Sequence, residues 1–127
     1  MQLNKFGAIL KFAIELEQKA AEFYETAAQA APSQELEESA AAARKRLSRL
    51  KVMQRELVNE MLLEPIAGFD QPALPELAVG STSPERIQRQ KAQIEQAARQ
   101  FYTIASDKLG TVAPGVSRAF KKMAAQV

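Results

Sequence analysis

Leu16-Glu17-Gln18-Lys19-Ala20-Ala21-Glu22-Phe23-Tyr24-Glu25-Thr26-Ala27 returns 78 residues later as Ile94-Glu95-Gln96-Ala97-Ala98-Arg99-Gln100-Phe101-Tyr102-Thr103-Ile104-Ala105. Half of the twelve positions are identical: Glu, Gln, Ala, Phe, Tyr and Ala. Two alanine-rich helices match partly by chance, since alanine is the strongest helix former. A shared Glu-x5-Phe-Tyr is harder to dismiss, because a packed helix gains nothing from a carboxylate at a fixed distance from an aromatic pair. The matched segments therefore read as two equivalent helices of one duplicated arrangement.

Working outward, apolar or small residues recur at Phe6, Leu10, Ala13, Ala20, Tyr24, Ala27 and Ala31, in steps of three and four once Glu17 is included. This is the stripe of an amphipathic helix over about 5–31. Glu17 lies on that stripe, where an ionised carboxylate is costly to bury unless something pairs with it; at the stripe's edge it would instead reach water. Pro32 stops the helix and Ser33 can cap a second one over about 33–63, with Leu36, Ala40, Ala43, Leu47, Leu50, Leu57 and Met61 on one line and Gln54 among them. Residues 64–83 contain Pro65, Pro72 and Pro75 with two glycines, so they cannot be regular helix. A stretch that long suits a crossover running back along a bundle. Ser83-Pro84-Glu85 opens a third helix to about 109, which Gly110 can close, and Pro114 opens a short fourth to about 126. The expectation is one all-α domain over 1–127, with three long helices, one short helix and one long crossover.

Composition narrows the chemistry. The chain has 127 residues, no cysteine and no histidine. Disulfides, thiolate nucleophiles and histidine-based triads are thereby excluded, along with the commonest metal ligand and the usual general base near neutral pH. No stretch reaches the roughly 18 consecutive apolar residues of a membrane span, and Phe6–Leu16 carries Lys11 and Glu15, so it reads as mature helix rather than signal peptide. A cytoplasmic location is the expectation that follows.

The formal net charge of +2 hides a segregation. Residues 1–43 hold three lysines against seven glutamates, and 44–63 hold six basic residues against two acidic ones. An acidic first helix beside a basic second one accounts for this. A nucleic-acid patch at Arg44-Lys45-Arg46-Leu47-Ser48-Arg49, extended by the fourth helix, is disfavoured because no aromatic residue interleaves the run to stack on bases.

With the duplicated Glu-x5-Phe-Tyr and the long crossover in view, the sequence resembles the ferritin-like superfamily, in particular its rubrerythrin-type branch. The resemblance implies a ferritin-like four-helix bundle in which the first and third helices each carry a metal-ligating Glu with a Tyr seven residues later. Glu17 with Tyr24 and Glu95 with Tyr102 match. The family also places Glu-x-x-His on the second and fourth helices, completing a set of roughly six ligands; this chain has neither motif. If the first two helices fold back at Pro32, the residue level with Glu17 is about 47, since both helices rise equally per residue. Arg46, Leu47, Arg49 and Leu50 occupy that level. The fourth helix ends before it reaches the level of Glu95.

The expectation is thus a degenerate, metal-free relic acting as a structural or interaction domain rather than an enzyme. No catalytic residue is assigned. Arg46 or Arg49 would neutralise Glu17, and Glu95 with it, where a metal's charge once sat. Tyr24 and Tyr102 read as half-buried core aromatics, or else as hydroxyl donors to neighbouring carboxylates. Met53, Met61 and Met123 read as core fillers. The alternative is an iron or manganese protein in which Glu17, Glu95 and a partner chain's carboxylates hold the ion. The short fourth helix would leave apolar surface near Ile94, Glu95 and Ala98, which predicts a homo-oligomer, a twofold dimer first.

Overall fold

The computed structural model describes residues 2–57, 65–70 and 83–127. The chain begins with a short strand β1 (Gln2–Lys5), followed by α1 (Phe6–Ala30) and α2 (Gln34–Leu57). A second strand, β2 (Pro65–Asp70), precedes α3 (Pro84–Lys108) and α4 (Pro114–Gln126). Among the described residues the architecture is helical except for one ribbon. β1 and β2 pair antiparallel, with Gln2 opposite Asp70 and Leu3 opposite Phe69, and the register slips between Leu3 and Lys5. Nothing in the sequence pattern anticipates this ribbon. It shortens the first helix at its start, because residues 2–5 are held extended by a segment whose prolines suggest only a crossover. The remainder of that crossover, Met61 and the expected last turn of the second helix to 63 lie outside the described residues.

Local chemistry accounts for the helix ends. The Ala31 amide donates to the Ala27 carbonyl, 2.8 Å away, and Pro32 then ends α1. Ser33 stands just outside α2 and its Oγ accepts from the Leu36 amide at 3.4 Å. Glu35 and Glu37 in the first turn complement the positive end of the helix dipole. Pro84 and Pro114 open α3 and α4, where a missing N–H costs nothing. α3 ends at Lys108, one residue earlier than expected, and Gly110 does not close it in a left-handed conformation: no described glycine has positive φ. Its amide donates to the Asp107 carbonyl at 3.4 Å in an ordinary turn.

α1 and α2 form one antiparallel hairpin and α3 and α4 another. Glu25 meets Arg44 while Glu17, nearer the start of α1, meets Arg46. In the second hairpin Ser106 and Ser117 clasp each other, each hydroxyl donating to the other's carbonyl, at 3.1 and 2.7 Å. α2 runs parallel to α3. Glu35 in the first turn of α2 meets Lys91 two turns into α3, and Leu50 shares one buried cluster with Ala98, Phe101 and Ala105. Two parallel helices consecutive in sequence cannot be joined by a short turn, which accords with the length of chain between Leu57 and Pro84.

The core divides in two. One half gathers Phe6, Leu10, Phe12, Leu50, Phe101, Tyr102, Phe120 and Met123, with Met53 against it. Its rings interlock, Phe12 and Phe101 with centroids 4.8 Å apart and Tyr102 edge-on to Phe120 at 5.3 Å. The other half is alanine-rich, built from Ala20, Phe23, Tyr24, Ala27, Leu36, Ala40, Ile87 and Ile94. On α1 the halves meet between Leu16 and Ala20, and on α3 between Ile94 and Ala98. Glu17 and Glu95 sit at those joints.

Candidate functional site

Glu17 is a glutamate facing its own core, 1% exposed. The stripe of α1 carries it there, since Ala13 and Ala20 on either side are buried too. The reading in which it escapes to water at the stripe's edge is therefore corrected. Its Oε2 accepts from the Arg46 Nε at 2.8 Å and from the Tyr102 hydroxyl. Arg46 comes from α2, one residue before the buried Leu47, and its side chain is 10% exposed. Tyr102 comes from α3 and is fully buried. Three helices thus converge on one carboxylate oxygen.

The two donors act differently. The guanidinium is always charged, so it neutralises Glu17 where water cannot. The phenol supplies a neutral hydrogen bond to the ionised oxygen. Burial first, then the charge and hydrogen bond of Glu17, push the Tyr102 phenol well above its ordinary value, against the opposing pull of Arg46. Tyr24 is buried and lines a recess with Arg46 and Glu95. Its phenol is raised by burial and by the Glu95 charge, with Arg46 opposing and Glu17 adding to the rise. Both tyrosines are therefore held in the neutral form; both are buried, Tyr102 completely.

Glu95 has its own cation. Lys91, one turn earlier on α3, donates to Glu95 and lies 3.3 Å from Glu35 Oε1 at the start of α2. Burial favours loss of the Lys91 proton, yet the hydrogen bonds and charges of Glu95 and Glu35 outweigh it and hold the ammonium above its usual range. Between the two pairs lies a recess of about 200 Å³, lined by Tyr24, Glu35, Glu38, Arg46 and Glu95 with Gln126 and Val127 from the end of α4.

The structure therefore brings together Glu17, Arg46 and Tyr102, with Tyr24 close by. It joins Glu95 to Lys91 rather than to an arginine of α2. Arg49 lies apart on the exposed side of α2. Lys91 is the functional residue that sequence reasoning misses, although its four-residue spacing from Glu95 is a visible signal.

Each of the two matched glutamates already holds a cationic side chain, and a divalent ion at either would meet that charge at close range. Among the described residues no three acidic side chains group to hold an ion. The apolar gap expected near Ile94 and Ala98 is also corrected, since both are only 4% exposed. α1 and α2 cover Ile94 within the alanine-rich half, and α4 reaches Arg99, whose Nη2 donates to the Val127 carbonyl at 2.8 Å. The apolar surface that would call for a dimer at this point is not there. No helix of the described residues is long and apolar enough to cross a membrane. Comparison with known protein families, curated proteins and solved structures yields no match.

Proposed function

We propose that this chain is a ferritin-like bundle whose metal centre has given way to an internal carboxylate–guanidinium–phenol cluster, and that it works as a structural or protein-interaction domain. The observation that carries the reading is Glu17, sealed in the core and held by Arg46 and Tyr102. A guanidinium suits the exchange because it brings a fixed positive charge and directional donors to a site that a cation would otherwise neutralise. The parallel run of α2 and α3 and the duplicated placement of Glu17 and Glu95 support the ferritin-like ancestry. The cluster is complete within one chain, so the reading needs no second subunit.

The test is metal analysis of the purified protein after anaerobic exposure to ferrous and to manganous ions. The expected result is no stoichiometric metal under either condition. Near-stoichiometric iron or manganese would overturn the reading and favour a carboxylate-based metal protein using Glu17 and Glu95.

A further inference from the structure

Arg46 and Glu95 line one recess but do not pair with each other. Arg46 donates through Nε to Glu17, and Glu95 accepts from Lys91, so each charge already has a partner. The Nη atoms of Arg46 make no hydrogen bond with any described residue, which leaves the two-pronged end of the guanidinium available. The Tyr24 hydroxyl makes none either, although Tyr24 is 3% exposed and a buried phenol ordinarily finds a partner. Burial apart, the charges that act most on this phenol are those of Glu95 and then Arg46, so it lies near both. A cationic donor, a neutral donor and a carboxylate therefore converge on one space.

The space itself follows from the sequence of α2. Glu35, Glu38, Ala42 and Arg46 succeed one another in steps of three and four, which sets them on one face of that helix, and all four line the recess. Ala42 is the short member of the row, and its methyl group leaves room between longer neighbours. The volume is about 200 Å³. That is the share of about seven waters at roughly 30 Å³ each, enough for a small molecule and too little for a nucleotide or a peptide.

We infer that this recess binds a small α-amino acid as its zwitterion. The ligand carboxylate accepts from the Arg46 Nη atoms and the Tyr24 hydroxyl, and its ammonium donates to Glu95. Charge balance selects this class. Arg46 and Glu95 are already neutralised by Glu17 and Lys91, so a ligand of one sign would bring an unanswered charge into a partly buried place. A zwitterion carries both signs on neighbouring carbons and adds no net charge. Glu35 and Glu38 are exposed at the rim, where they repel an acidic side chain on the ligand. None of this depends on a ferritin-like ancestry, because only groups that line or neighbour the recess take part.

Titration of the isotope-labelled full chain with L-alanine, followed by amide NMR shifts, tests this. The expected result is saturable shifts at Tyr24, Ala42 and Glu95, with a dissociation constant in the millimolar range or tighter. Propionate, which lacks the ammonium, and ethylamine, which lacks the carboxylate, should each bind about tenfold more weakly or worse. L-aspartate should also bind more weakly than L-alanine. Tyr24→Phe should lose about tenfold in affinity for L-alanine with its melting temperature unchanged, since the hydroxyl has no protein partner to lose. Ala42→Leu keeps every charge and fills the space, so it should abolish the saturable shifts. Glu37→Gln, on the same helix but outside the recess, should change neither affinity nor melting temperature. No saturable shift with L-alanine, equal affinity for propionate or ethylamine, or full affinity in Ala42→Leu would overturn the inference. If Tyr24→Phe fails to fold, the ligand comparison on the unaltered chain decides alone.

Discussion

Glu17 accepts from Arg46 and Tyr102 in a place that water does not reach, so removing either donor strands a buried charge. Arg46→Ala should cost about 3–5 kcal/mol, as breaking a buried pair does. Arg49→Ala, on the exposed side of the same helix, should cost less than about 0.5 kcal/mol. Urea unfolding of both variants checks the contrast, and equal costs would mean the pairing is not what holds Glu17. Tyr102→Phe keeps the ring packing against Phe120 and removes only the hydroxyl; a loss of about 2 kcal/mol is expected for a hydrogen bond to a charged group. The tyrosines also set a pH limit. Both phenols have folded values raised above 10.0 by burial and nearby carboxylates. The unfolded chain loses these protons first, so stability is complete below about pH 10 and falls as pH rises through the folded values. The chain has two tyrosines and no tryptophan, so phenolate absorbance reports these residues alone. The expected titration shows no phenolate while the fold persists and an abrupt rise on alkaline unfolding. Smooth ionisation near pH 10 in a folded protein would contradict the burial.

The elements owe their limits to single residues at their ends. Ser33→Ala should destabilise by about 1 kcal/mol, the usual worth of an N-cap oxygen, measurable as a lowered urea midpoint. Gly110 presents the opposite case. Its position after a helix suggests a left-handed closing residue, yet its φ is not positive, and an added Cβ would meet the Asp107 carbonyl oxygen at an ordinary 3.5 Å. Gly110→Ala should therefore stabilise by about 0.4–1 kcal/mol by restricting the unfolded chain. A loss of more than about 1 kcal/mol in thermal unfolding would restore the left-handed reading. The β1–β2 ribbon shows a limit of another kind. Four residues before the first helix carry too little periodicity to declare a strand, and their partner lies sixty or more residues away, so only the fold brings the two together.

Across the whole molecule, the polar cluster divides the core into an aromatic half and an alanine-rich half. Three helices meet at Glu17, where the two halves join, so loss of Arg46 should loosen both rather than one. Amide exchange in Arg46→Ala should accelerate along α1 on both sides of Glu17, in Leu10 to Ala13 and in Ala20 to Tyr24. Acceleration confined to one side would indicate that the halves are independent.

Much of this is legible in the chain. The stripes on the first two helices, the breaks at Pro32, Pro84 and Pro114, and the duplicated Glu-x5-Phe-Tyr are local patterns, and local patterns follow from helix period and backbone sterics. They also place Arg46 near the level of Glu17, because two antiparallel helices rise equally from a common turn. Which arginine turns inward cannot be read there: Arg46 and Arg49 are three residues apart, and a rotation of the helix by a fraction of a turn exchanges them. Nor can Lys91 be assigned to Glu95 in preference to other acids, nor the burial of Ile94 and Ala98, which depends on what other helices place over them. Those choices belong to tertiary structure, because burial and charge pairing are properties of neighbours distant in sequence, and only packing decides which of several suitable side chains are brought into contact.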